Sequence, residues 1–379
     1  MSEDQIVIST DSKTARQELI TWWDQAKLKS SHVLVVGAGA LGNEIVKNLA
    51  LVGVGEISIV DMDTIERSNL SRCVFFRESD DGSYKSEVLA REAKRLNPDL
   101  ITHHYTCSVQ ELGDGFLEQF TLVVAGLDNR EARVWLGAAL RRVGKVWIDG
   151  AIEGLMGKVQ TFVPDGPCYA CTMSAKDWEQ LAHRRACKLL GTEEILSGHT
   201  PTNATTSSII AGIQTQEAIK YLVGVNPAMH ALENKVWRMI GEQMTTFTSI
   251  VDIDEYCIFH LDPMESEGKF TLPPQTSELW SALGAKENEH FAFYDDFLYI
   301  HGCSTCNTAP KVGFKDLMKK QGTCATCKTE LQVDLSSRII KGDAAADCAI
   351  DEGFWPHAAL IEIRDTEGSS KRVTVERGR

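Results

Sequence analysis

Val33-Leu34-Val35-Val36-Gly37-Ala38-Gly39-Ala40-Leu41-Gly42 is the stretch on which the fold turns. An apolar, β-branched run feeds a glycine turn, and a helix starts directly after it. In this pattern Gly37 permits the tight bend, Gly39 lets a phosphate approach the backbone, and Gly42 lets the helix pack on the strand. The next helix, Leu41 to Val52, aims its free N–H groups and the positive end of its dipole at that phosphate. By itself the motif specifies a nucleotide and nothing narrower, so a dinucleotide-dependent oxidoreductase is the competing reading.

Outward from the turn, residues 32–150 alternate strand and helix. Apolar runs at Val33–Val36, Ile57–Val60, Leu122–Ala125 and Val146–Ile148 read as buried parallel strands. Helices fit Asn43–Leu51, Lys85–Leu96 and Arg130–Arg142. This predicts a doubly wound, Rossmann-like, mostly parallel α/β sheet with ligands at the strand C-termini. Asp61 ends the second strand, where a dinucleotide fold places an acid on the ribose hydroxyls. The residues beyond it depart from a dehydrogenase: Asp61-Met62-Asp63, then Ser68-Asn69-Leu70-Ser71-Arg72, then Lys85, and after the fourth strand Asp128-Asn129.

These residues, in this order, resemble the ubiquitin-activating-enzyme superfamily in its MoeB/ThiF/HesA form. The likeness continues through Gly150–Gln160 and Gly166-Pro167-Cys168-Tyr169-Ala170-Cys171 and covers residues 14–260. One departure is Cys73, where that family usually carries Gln. The resemblance implies ATP-dependent adenylation of the C-terminal glycine tail of a ubiquitin-like protein. It implies that Gly37, Gly39, Gly42, Asp61, Asp63, Asn69, Arg72 and Lys85 bind the nucleotide, with Asp61 on the ribose and Asn69, Arg72 and Lys85 on the triphosphate. It puts Mg²⁺ on Asp128. Arg16 resembles an N-terminal arginine that relatives insert into the neighbouring protomer's ATP site, which implies a homodimer.

Cys187 lies in His183-Arg184-Arg185-Ala186-Cys187-Lys188, where thioester- or persulfide-forming relatives carry their cysteine. The flanking cations favour the thiolate. Cys73 ranks second as a reactive thiol, and Cys107 and Cys348 sit in apolar contexts that read as inert. The other seven of the eleven cysteines fall into metal-ligand spacing. Cys168 and Cys171 pair with Cys257 and His260, and Cys303, Cys306, Cys324 and Cys327 have zinc-ribbon spacing; both sets suit structural Zn²⁺.

The chain divides on this reading into an N-terminal helical arm (1–31, with a helix from Thr14 to Lys27 carrying Trp22 and Trp23), an adenylation domain (32–260) and a C-terminal zinc-ribbon domain (261–379). The adenylation domain contains a mobile cysteine loop (172–203). Asn203 to Leu222 reads as a core helix with Ile209, Ile210, Ile213, Ala218 and Ile219 inward. Trp237–Ile253 reads as two strands, 262–274 as a linker, and Ala358–Ile363 with Lys371–Val375 as a closing hairpin.

The net charge of −14 argues against a nucleic-acid partner and requires any anion site to be a local exception. No apolar run of about twenty residues and no apolar leader is present, so the expectation is a cytoplasmic protein without a membrane partner. The leading function is a compact modifier-activating enzyme that forms a thioester on Cys187 and hands the modifier to a conjugating enzyme. The compact size resembles bacterial members of the family, which implies a gene that accompanies a modifier, a conjugating enzyme and a protease in an antiphage operon. The alternative is a sulfur-carrier adenylyltransferase of the MoeB/ThiF type, which makes a thiocarboxylate for cofactor synthesis. A non-enzymatic scaffold is disfavoured by the retention of Arg72, Lys85 and Asp128.

Overall fold

Short β-branched runs and the glycine punctuation between them produce the first sheet. A computed structural model describes residues 12–179, 181, 201–230, 232–260, 265–318 and 321–378. The chain clusters into two units, one of 1–108 with 119–261 and the other of 109–118 with 262–379.

In the first unit, α1 (Gln25–Ser30), β1 (His32–Val36), α2 (Ala40–Val52), β2 (Glu56–Val60), α3 (Lys85–Leu96) and β3 (Ile101–Tyr105) come first. Then come β4 (Leu122–Ala125), α4 (Arg130–Arg142), β5 (Trp147–Glu153), β6 (Met156–Phe162), α5 (Ala204–Val223), β7 (Lys235–Ile240) and β8 (Thr245–Ile250). The strand order is β3-β2-β1-β4-β5-β6-β7-β8. β1 to β5 pair in parallel, and β6 to β8 continue antiparallel. The order reverses between β1 and β4, which opens a crevice beyond their C-terminal ends. Ile45, Leu49, Ile57, Ile59, Val88, Leu89 and Val124 fill the core against α2, α3 and α5.

Several expectations change. The helix predicted over Thr14–Lys27 is a run of turns, and the α-helix begins only at Gln25. Asp24 is the reason: its carboxylate accepts from the Lys27 N–H at 3.0 Å and caps the helix there. Trp22 and Trp23 still pack on the core. In α5 the inward stripe holds for Ile210, Ala218 and Ile219, but Ile209 is exposed, because adjacent helical positions point about 100° apart. Much of the expected loop 172–203 lies outside the described residues, as does Cys187. Of that stretch, residues 175–179 are helical.

The second unit is more than a ribbon. β9 (Lys269–Thr271), β10 (His290–Ile300), β11 (Lys311–Phe314), β12 (Val333–Ile339), β13 (Ala358–Arg364) and β14 (Ser370–Glu376) form one sheet. Phe291, Phe293, Phe297, Phe314 and Trp355 pack edge-to-face and stacked in a core of its own. β9 falls inside the stretch read as a linker and pairs in parallel with β14. The segment Val109–Glu118, read from sequence as part of the adenylation domain, packs with this unit: the Leu360 N–H donates to Asp114 Oδ1 at 2.9 Å.

Candidate active site

The glycine turn closes the end of β1. Gly37 has φ +94°, and a Cβ there would stand 2.7 Å from the Gly126 carbonyl oxygen. So the turns after β1 and β4 touch directly. At Gly42 a Cβ would lie 2.0 Å from the Gly37 carbonyl oxygen, which leaves glycine as the residue that fits. Gly39 differs: a Cβ there would meet nothing within 4 Å, so the backbone of the turn borders open space at the N-terminus of α2. That space, N–H groups facing it, is where an anion fits.

Asp61 is tied into the same turn. Its two oxygens accept from the Ala38 N–H at 2.6 Å and the Asp63 N–H at 2.8 Å. Burial raises its pKa above the usual carboxylate value, against the pull of those two N–H groups and Lys85. Asp63 in turn holds the Lys85 ammonium at 2.9 Å, and the Lys85 N–H donates to the Asp63 carbonyl at 2.9 Å. Burial works to lower the Lys85 pKa, but Asp63 and Asp61 outweigh it and the ammonium is held above its ordinary value.

Asn69 is buried in a 3₁₀ turn, Arg67–Ser71, where its side chain accepts from the Glu66 N–H at 3.0 Å. Arg72 follows directly and donates from Nη1 to the Ser68 carbonyl at 2.6 Å. Between Arg72 and the core sits Cys73, 4% exposed. Burial pushes its thiol up to about 11, although the charges of Arg72 and Lys85 pull the other way. Cys73 is therefore a poor nucleophile near neutral pH.

Asp128 is exposed on the turn after β4, next to Asn129, which caps α4 by accepting from the Glu131 N–H at 2.8 Å. Arg16 is exposed in the N-terminal turns, and no contact joins it to this cluster. The sequence reading missed Arg133 and Asp149. Both are buried and form an ion pair at 2.9 Å under the Asp128 turn. The available signal was an arginine on the stripe that α4 otherwise fills with Leu136, Gly137 and Leu140. Arg130, beside the same turn, pairs with Asp177 of the helical segment 175–179.

Two donor sets have metal-site geometry. Cys168 Sγ lies 3.8 Å from Cys171 Sγ and 3.5 Å from Cys257 Sγ, with His260 Nε2 at 3.1 Å from Cys171 Sγ. In the second unit Cys303, Cys306, Cys324 and Cys327 converge, with 3.6 Å between the sulfurs of Cys303 and Cys327. Metal–sulfur bonds of about 2.3 Å in a tetrahedron separate sulfurs by roughly 3.8 Å, so both sets fit a closed, four-ligand ion.

A doubly wound sheet with a glycine turn and, at the end of β2, an acid tied into that turn defines an α/β fold of the nucleotide-binding type. The chain belongs to the ThiF family, whose model matches residues 12–257. It is 36% identical over 150 residues to the NEDD8-activating enzyme E1 catalytic subunit of Schizosaccharomyces pombe, covering 38% of this chain and 34% of that protein. It is 40% identical over 148 residues to the SAMP-activating enzyme E1 of Haloferax volcanii, covering 39% and 55%. The chain thus spans about a third of the first relative and about half of the second. The crystal structure of E. coli MccB with ATP shares the fold at TM-score 0.55 and 22% identity, over 67% of this chain and 75% of that one. No helix among the described residues is long and apolar enough to cross a membrane.

Proposed function

We propose that this chain uses ATP to adenylate the C-terminal glycine carboxylate of a ubiquitin-like protein. The observation that carries the reading is the run of contacts from the Ala38 N–H to Asp61, from Asp61 to the Asp63 N–H and from Asp63 to the Lys85 ammonium, beside the open space at Gly39. Relatives named as activating enzymes for ubiquitin-like modifiers supply the substrate class.

A carboxylate is a poor electrophile until one oxygen becomes part of a good leaving group. In the first step the tail carboxylate attacks the α-phosphorus of ATP. The bond to the β-phosphate oxygen breaks, pyrophosphate leaves, and an acyl-adenylate remains. Two anions must meet for this, so fixed positive charge around the phosphates supplies much of the rate. Asp61 receives the ribose, while Asn69, Arg72 and Lys85 hold the phosphates; Asp63 positions Lys85. Asp128 would hold Mg²⁺, which would supply positive charge against the phosphates. Arg16 completes the site of a second protomer in a homodimer.

In the second step the Cys187 thiolate attacks the acyl carbon, AMP leaves, and a thioester forms. Transfer to a conjugating enzyme follows, in a setting that includes bacterial antiphage defence. Zn²⁺ held by Cys168, Cys171, Cys257 and His260, and by the four cysteines of the C-terminal zinc ribbon, is structural, with no open coordination position.

The test is ATP–pyrophosphate exchange with ubiquitin-like proteins encoded beside the gene. Exchange should require a protein ending in glycine and vanish in Asp128→Ala. A thiol-sensitive adduct should form and be lost in Cys187→Ala. Exchange that survives Asp128→Ala removes its metal role, and an adduct that survives Cys187→Ala removes the acceptor.

A further inference from the structure

Arg133 is a buried cation that the proposed reaction leaves without a task. It sits in the first turns of α4 and is 5% exposed, and its ion-pair partner Asp149 is 2% exposed. Its guanidinium reaches three places at once. Nε donates to Asp149 Oδ1 at 2.9 Å, and Nη2 donates to the Gly150 carbonyl at 2.9 Å and to the Leu127 carbonyl. Leu127 is the residue before Asp128. The Asp128 carboxylate is among the charges that hold Arg133 protonated, with Asp149 stronger, while burial works the other way.

The turn that carries Asp128 is held at its two ends by its neighbours. Gly126 is pinned to β1 through its N–H, 2.9 Å from the Val36 carbonyl, and Asn129 starts α4. Between them, the Leu127 carbonyl is joined by Arg133 to Asp149 and Gly150 in the middle of the neighbouring strand, β5. A planar fork places two nitrogens at once, Nε on the carboxylate and Nη2 on the two carbonyls; a single ammonium or amide nitrogen cannot stand in both places. A carboxylate that binds a metal works only when its loop is already set, and the partners that orient such ligands change metal affinity by about 10- to 100-fold.

We propose that Arg133 is a positioning residue for Asp128: it locks the turn after β4 so that the carboxylate meets the Mg²⁺ of bound ATP. The inference rests on the metal role proposed for Asp128. It goes beyond that role because it assigns the loop's order to a side chain that touches neither nucleotide nor ion.

The test is calorimetric titration of the full chain with ATP, once in EDTA and once with Mg²⁺, which needs no modifier. The readout is the gain in ATP affinity that Mg²⁺ brings. Arg133→Gln should lower that gain about 10-fold or more and leave the metal-free affinity within about twofold. Arg133→Lys keeps the charge beside Asp149, but its one nitrogen cannot replace both Nε on Asp149 and Nη2 on the two carbonyls. It should fold and show the same selective loss, and it carries the test alone if Arg133→Gln does not fold. Asp128→Ala is the reference. If Asp128→Ala keeps the full Mg²⁺ gain, the metal assignment itself fails. If Asp128→Ala loses the gain while Arg133→Lys keeps it, only the positioning role is overturned. Equal loss with and without Mg²⁺ in Arg133→Lys also overturns it, since that is what general damage to the fold gives.

Discussion

Two neighbouring glycines separate the packing of the turn from its proposed chemistry. At Gly42 an alanine methyl would stand 2.0 Å from the Gly37 carbonyl oxygen. Ordinary carbon–oxygen contacts begin near ~3.3 Å, so the turn would have to move by more than about 1 Å. Helix propensity favours Ala over Gly by at most ~1 kcal/mol. Overpacking opposes it with roughly 1–3 kcal/mol. The balance is a loss of up to about 2 kcal/mol, or several degrees in Tm for a unit of this size. The displacement matters more than the energy, because a shift of that size at a reacting centre reduces rates by about 10²-fold. At Gly39 the added methyl meets no atom within 4 Å, and its φ of −75° suits alanine. Gly39→Ala should therefore change stability by no more than about 1 kcal/mol. Its methyl would nevertheless fill the approach to the backbone N–H groups, and ATP affinity should fall by at least tenfold. Scanning calorimetry and ATP titration on both variants give the answer. A Gly42→Ala protein with a raised Tm and full activity would refute the packing argument, and a Gly39→Ala protein that binds ATP normally would refute the phosphate assignment.

Cys73 titrates near 11 when folded and near 9 as a free thiol, so its contribution to stability is complete below pH 9 and is lost as pH rises through about 11. Chemical denaturation of wild type and Cys73→Ala across that range should converge at high pH, and alkylation of Cys73 at pH 8 should be slower than that of a free thiol. The purified chain should contain two zinc ions by elemental analysis, and Cys168→Ala should remove one; a value that stays at two discards that ligand set. Truncation at residue 260 leaves Leu112 and Leu117, both buried, without the sheet they pack in, so the fragment should aggregate in light scattering. Replacing 109–118 by a short Gly/Ser linker should restore its solubility, and a truncated protein that is soluble without that change contradicts the assignment of the segment to the second unit.

Local features are legible in the chain alone. The strand–turn–helix at Gly37, the bounds of α3 at Lys85–Leu96 and of α4 at Arg130–Arg142, and the cysteine spacings are all set by residues within a few positions of one another. The helix boundaries come from apolar periodicity, and the turn needs glycine for steric reasons that hold in any context. Asp61 was placed at the end of β2 by the same reading, and it stands there, accepting from the Ala38 N–H of the glycine turn.

Whatever depends on distance in space required the folded chain. Arg133 looked like one more charge on a helix; only folding puts it against Asp149 and the Leu127 carbonyl. Cys73 read as a second reactive thiol, and burial beneath Arg72 makes it inert. Short β9 carried too few residues to show a period, and its strand character comes from the edge of β14 that it pairs with. Likewise nothing in residues 109–118 announces that their partner is a sheet some 250 positions later. Such pairings are fixed by which surfaces are buried together, and hydrophobic burial is non-directional, so local sequence cannot encode them.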